Sequence, residues 1–285
     1  MILPPLALLL VFNYWPMSGV LVSFENFSVR RGIFGSQWVG LKYYIEFVTS
    51  PTFKQLFLNT IIISVYNLAA SFPIPIILAI AINEVQNIRF KKLVQTVTYA
   101  PYFISTVVLV AMTMQFLDLH NGFVNHVIAL LGFEPINFMG NPSMFRSIYV
   151  WSGVWQTMGY SAIIYIAALS SVDTSLIEAS IIDGASRFQK IRYVDIPVIS
   201  PTIIIMLILA IGNMLGIAYE KVYVMQNPLN IGQSEIINTF VYKRGLQSIQ
   251  YSYATAVGFF NSVVNLFLLL LANWGAKKIG DTSLF

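Results

Sequence analysis

The stretch in which residue types and spacing are least generic is 171–201, SVDTSLIEASIIDGASRFQKIRYVDIPVISP. Ser175 with Glu178 three residues on has capping-box spacing, and Ile177, Ile181 and Ile182 follow on one helical face. A short amphipathic helix is therefore predicted from about residue 175. Asp183-Gly184 ends it, because glycine accepts the left-handed conformation at a helix C-terminus, where another side chain costs ~1–2 kcal/mol. After this turn a second short helix over Ser186 to Val194 presents Arg187, Lys190 and Arg192 to water or lipid headgroups. Pro197 and Pro201 then open a new apolar run. The chemistry on offer is recognition: a carboxylate at a helix start is favoured by the helix dipole and can accept charge-assisted hydrogen bonds from Arg or Lys of another molecule. On these residues alone, an amphipathic loop on a membrane surface, with Glu178 as a plain capping residue, is the simpler account.

The elements that must hold this loop are membrane helices. Of the 285 residues, 57% are hydrophobic and 10% charged, against roughly 45–50% and 25% in an average soluble domain. The charges cluster, leaving uncharged windows at 1–24, 55–83, 93–117, 147–172, 196–219 and 245–276. Each exceeds the ~20 residues that cross a bilayer as a helix. The expected fold class is all-α, a polytopic membrane protein with six transmembrane helices in one domain over 1–285. Its spans are expected at about 2–24, 55–83, 93–117, 147–172, 198–219 and 251–276, with 173–197 as a loop between the fourth and fifth. The first window has no basic segment ahead of it and carries Pro4, Pro5 and Pro16, so it reads as a membrane helix and not a cleaved signal peptide. Pro73 and Pro75 are expected to kink the second span and Pro101 the third.

Several chemistries are excluded. Without cysteine there is no disulfide, thiolate nucleophile or thiolate-ligated metal. No G-x-x-x-x-G-K-S/T occurs, so the chain has no phosphate-cradling P-loop of its own. His120 and His126 lie near Asp118 and Glu134, but a spacing of six does not put both on one helical face, and no metal site is expected. A net charge of +4 without a dense basic tract gives no sign of nucleic acid. The windows hold no ionisable residue at depth, which counts against a proton- or ion-coupled carrier.

Neutral polar and aromatic residues do occur within the spans: Tyr66 and Asn67 in the second; Trp151, Trp155 and Gln156 in the fourth; Asn213 and Tyr219 in the fifth; Asn261 and Asn265 in the sixth. Such a set suits a sugar, since aromatic faces pack on the C–H faces of a pyranose and amides pair with its hydroxyls. Trp151, Trp155, Gln156, Asn213, Tyr219 and Asn261 are the candidate pathway residues. Interfacial anchoring of the aromatics and interhelical hydrogen bonding of the asparagines explain the same residues without a ligand. Gly212 and Gly216 form a GxxxG on the fifth span, by default a close helix contact.

Glu178-Ala179-Ser180, Gly184, Val194, Ile196 and Pro197 follow the EAA–G–I–LP pattern and resemble the permeases of type I ATP-binding-cassette importers. Ser180 for the third alanine and Ile196 for leucine are small departures. FPIPIILAIAINE, EIINTFVYKRGL and the run YSYATAVGFFNSVVNLFLLLLANWGAKK look like the branch that imports sugars and oligosaccharides, so the likeness covers most of residues 50–280. The resemblance implies that Glu178, Ala179, Ser180, Asp183, Gly184 and Pro197 form a cytoplasmic coupling loop that docks on an ATPase. It also implies a second homologous permease, two ATPase subunits and an external solute-binding protein. Mg-ATP would be held by the partner ATPase, with no cofactor and no catalytic residue on this chain. The loop 173–197 and both termini would then be cytoplasmic in a bacterial cell membrane, in agreement with the packing of Arg89, Lys91, Lys92, Arg187, Lys190, Arg192, Lys277 and Lys278 close to the spans on that side. A self-contained secondary carrier or channel for a small polar solute is the rival reading. It would need neither the ATPase nor the loop pattern.

Overall fold

The computed structural model describes residues 2–279. Four helices are continuous, long and apolar enough to cross a membrane: α1 (Leu3–Phe24), α2 (Phe53–Asn83), α7 (Arg187–Gly212) and α9 (Tyr251–Lys278). Two bent pairs complete a set of up to six among the described residues. Ile88–Phe103 (α3) meets Thr106–Phe116 (α4) at 103°, and Pro142–Leu169 (α5) meets Thr174–Ile182 (α6) at 78°.

Local chemistry sets the breaks. Pro101 sits in a tightened turn, Ala100–Phe103, after which Ser105 caps α4 by accepting from the Val108 N–H. Asn141 caps α5 in the same way, with Pro142 at its first position. The expected kink at Pro73 and Pro75 takes a milder form: the hydrogen-bond ladder is interrupted after Ser71, yet Phe72 keeps helical angles (φ −77°, ψ −49°) and α2 runs through as one helix. In α1, Pro16 lacks the N–H for an ordinary α bond, and the helix there is a π turn (Leu10–Tyr14) followed by 3-10 winding (Trp15–Phe24).

The spans are held by interdigitated apolar layers. The half of α2 after Pro73 packs along α5, with Ala79, Ala162, Tyr165, Leu169 and Ile199 buried between α2, α5 and α7. Gly159 is required at the crossing of α5 with α3, because a Cβ there would lie 2.1 Å from the Thr98 carbonyl oxygen. The fifth span ends at Gly212, short of the expected 219. The chain then unwinds through 213–218 before a short helix α8 (Tyr219–Met225). The segment 220–244, read from sequence as a loop, is a compact cap of short helices: α8, Ile231–Ser234 and Ile237–Tyr242. Asn59 of α2 fastens the cap through bonds to the Gly232 and Glu235 carbonyls, 3.0 Å each, and accepts from Arg146 of α5 at 2.9 Å. A second cluster, Phe47, Leu56, Ile237, Phe240 and Val257, joins the first long loop to the cap and α9. That loop also carries a two-residue antiparallel pairing of Glu25–Asn26 with Gln37–Trp38.

Candidate functional site

The loop 173–197 is built by caps at each turn. Asp173, and not Ser175, opens α6: its carboxylate accepts from the Ser175 backbone N–H at 2.9 Å. That bond, with help from the Ser175 hydroxyl, holds the Asp173 carboxyl below its usual range. The capping box predicted for Ser175 and Glu178 does not form: the N-cap lies two residues earlier, and Glu178 is left exposed with no side-chain bond among the described residues. Gly184 takes φ +73°, while Ala185 N–H bonds to Ser180 O and Gly184 N–H to Ile181 O, the paired closure of a left-handed helix end. Ser186 and Gln189 exchange side-chain and backbone bonds in a true capping box. The second helix is Arg187–Lys190, followed by a π turn at Ile191–Asp195 that leads into the rest of α7. Leu176, Ile181 and Ile182 are exposed beside Glu178, so α6 offers a mixed acidic and apolar surface. Pro197 is exposed in the first turn after the π segment.

Within the bundle a cavity of about 430 Å³ lies between α2, α5 and α7. Ser64, Asn67 and Ser71 of α2, Tyr149 of α5 and Asn213 at the end of α7 supply its polar groups, with Met206, Leu209 and Ile217 among its apolar walls. Its wall includes the unwound segment itself, which is possible inside a membrane only if the freed backbone groups find partners. They do: Asn265 accepts from Leu215 N–H at 3.2 Å, Asn261 donates to Leu215 O at 3.2 Å, and Asn238 donates to Ile217 O at 2.7 Å. Neutral donors and acceptors and an aromatic ring surround a space large enough for a sugar ring.

The family described as binding-protein-dependent transport system inner membrane component matches residues 71–281. The chain belongs to this family. This permease is 42% identical to the polygalacturonan/rhamnogalacturonan transport system permease protein YteP of Bacillus subtilis, over 100% of this chain and 89% of that one. It is 27% identical to the arabinooligosaccharides transport system permease protein AraP of the same organism, over 92% of this chain and 83% of that one. In structure it is similar to a chain of a bacterial alginate ABC transporter in complex with an alginate pentasaccharide-bound periplasmic protein. The TM-score is 0.92 and the identity 34%, over 100% of this chain and 95% of that one.

Of the pathway candidates, the permease brings only Asn213 to the central cavity. Trp151 and Trp155 line a separate, almost wholly apolar groove of about 590 Å³ between α4 and α5, where the Trp151 indole N–H donates to the Tyr66 hydroxyl at 2.9 Å. Gln156 donates to Ile104 O at 2.8 Å and so satisfies the carbonyl freed at the bend between α3 and α4. Asn261 supports the unwound segment, and Tyr219 stacks on Tyr242 at 4.8 Å. The GxxxG does not form a helix face, because the helix ends at Gly212. Gly212 alone meets α9, at the Leu269 side chain, while Gly216 turns beneath the Asn213 amide.

Sequence reasoning missed Ser64, Ser71, Tyr149 and a buried cation. Lys221, just beyond the uncharged window 196–219, turns inward with 7% exposure, donates to Tyr149 O at 2.8 Å and lies 4.7 Å from the Tyr149 ring. No carboxylate lies within ion-pair distance of it among the described residues. The signal was a basic residue paired with Glu220 in sequence just after the uncharged window 196–219.

Proposed function

We propose that this permease is one of two membrane subunits of an ATP-driven importer that passes an oligosaccharide of the uronate class from an external binding protein to the cytoplasm. The carrying observation is the cavity lined by neutral amides, hydroxyls and one tyrosine between α2, α5 and α7. An oligosaccharide crossing ~30 Å of hydrocarbon needs replacements for its water hydrogen bonds, since each unpaired polar group there costs several kcal/mol. The uronate preference is supported by the names of the relatives, one a polygalacturonan transporter and one an importer of the acidic polysaccharide alginate, and by Lys221, a buried cation against a cavity-lining ring.

In this reading the loop 173–197 faces the cytoplasm and meets an ATPase. Glu178 supplies the charge-assisted contact, Ala179 and Ser180 the close-packed surface, Asp183 and Gly184 the turn, and Pro197 the start of the membrane run. A second permease, two ATPase subunits holding Mg-ATP and a solute-binding protein complete the machine. The N-terminus lies inside, as does the C-terminal end, 280–285, which falls outside the described residues. Purification in mild detergent tests the reading. The permease is expected to co-purify with an ATPase whose hydrolysis rises when oligogalacturonide-loaded binding protein is added. A permease that is recovered alone and moves solute without ATPase would be a secondary carrier, and the proposal would fall.

A further inference from the structure

Three charged side chains, one from the end of α2 and two from the start of α7, meet at the coupling loop. Glu84 closes the inner end of α2, Lys190 ends the short helix after Gly184, and Asp195 closes the π turn ahead of Pro197. The Lys190 ammonium donates to Glu84 Oε1 and lies 3.6 Å from Asp195 Oδ2. The three side chains are 17%, 20% and 2% exposed respectively for Lys190, Glu84 and Asp195. Neither Asp195 oxygen receives a hydrogen bond among the described residues, so Lys190 is the charge that compensates it. Buried carboxylates without such compensation are strongly disfavoured.

The position of this cluster matters more than its strength. Beyond its neighbours in sequence, α6 rests on the π turn that carries Asp195. The two spans that Lys190 ties together, α2 and α7, are the ones that bring Ser64, Asn67 and Asn213 to the cavity. A push on α6 thus reaches the π turn directly, and through Lys190 and Glu84 it reaches α2, which otherwise has no charged tie to the loop among the described residues.

We infer that Lys190 is a positioning residue that clamps the second span to the coupling loop and fifth span, so that ATPase movement displaces both cavity walls together. The inference rests on the importer reading above. Glu84→Met is the discriminating variant, because it removes the oxygen acceptor that ties Lys190 to α2 while leaving Asp195 paired with Lys190 and the cluster neutral, so folding is not penalised.

The test uses proteoliposomes holding the whole complex with loaded binding protein, and reads oligogalacturonide imported per ATP hydrolysed. For Glu84→Met, assembly and basal hydrolysis are expected to match wild type while import per ATP falls about tenfold, the scale of one lost charge-assisted bond. Lys190→Arg is expected to retain coupling and Lys190→Met to lose it. Normal import per ATP in Glu84→Met overturns the clamp. So does a loss in Lys190→Arg equal to that in Lys190→Met, which would mark a merely structural lysine. A wild-type complex without ATP-dependent import would refute the importer reading itself, and is recognised by that control.

Discussion

Gly184, Glu178 and Lys221 each carry a separate consequence at the scale of a residue. At Gly184 the backbone is at φ +73° and open space surrounds the position a Cβ would take, so Gly184→Val acts through backbone strain alone, ~1–2 kcal/mol. Because that strain falls on the loop, the variant is expected to keep its membrane fold by circular dichroism yet bind the ATPase more weakly in pull-down. Glu178 has no intrachain side-chain partner among the described residues, so Glu178→Ala should leave the melting temperature of the detergent-solubilised permease unchanged and abolish coupled import. A lowered melting temperature would make it a structural cap instead. Lys221→Met should reduce uptake of a uronate oligosaccharide far more than uptake of a neutral one, measured by competition in the reconstituted complex. Equal loss of both would assign Lys221 to packing.

Elements explain which asparagines are scaffold and which face the cavity. Asn265 holds the Leu215 N–H of the unwound segment, so Asn265→Leu leaves a buried donor unpaired and should destabilise the permease by ~1–3 kcal/mol, seen as a lower melting temperature. Asn213→Leu removes a group that lines the cavity and holds no such long-range backbone bond, so it should cut uptake with little change in melting. Charge-free runs longer than a bilayer crossing made the membrane helices legible in the sequence, and Gly184 announced its own left-handed turn. The end of the fifth span was not legible: IGNMLGIAY reads as continuous apolar helix, and what unwinds it at Gly212 is the supply of hydrogen bonds from Asn238, Asn261 and Asn265, far along the chain. The same non-locality hid the cavity, whose polar groups come from α2 and α5 as much as from α7. It also hid the cap of short helices, where Lys221 lies against α5. Asp173 displaced Ser175 as cap because two residues two positions apart offered similar local chemistry, and spacing alone does not rank them.

For the whole molecule, the proposed sidedness rests on the coupling role proposed for the loop. The chain has no cysteine, so single introduced thiols report cleanly. Ser186→Cys is expected to be protected from a membrane-impermeant reagent in intact cells, and Leu229→Cys, exposed on the cap, to react. External labelling of Ser186→Cys would invert the protein and remove the ATPase contact. The central claim is that transport by this permease is driven by a partner's ATP hydrolysis through the loop 173–197. The most direct test is uptake of labelled oligogalacturonide by proteoliposomes containing the permease pair and ATPase, with binding protein outside and ATP inside. Accumulation is predicted only when ATP and binding protein are both present, and is predicted to vanish in Glu178→Ala. Accumulation that persists without ATP, or that Glu178→Ala leaves intact, would contradict the account.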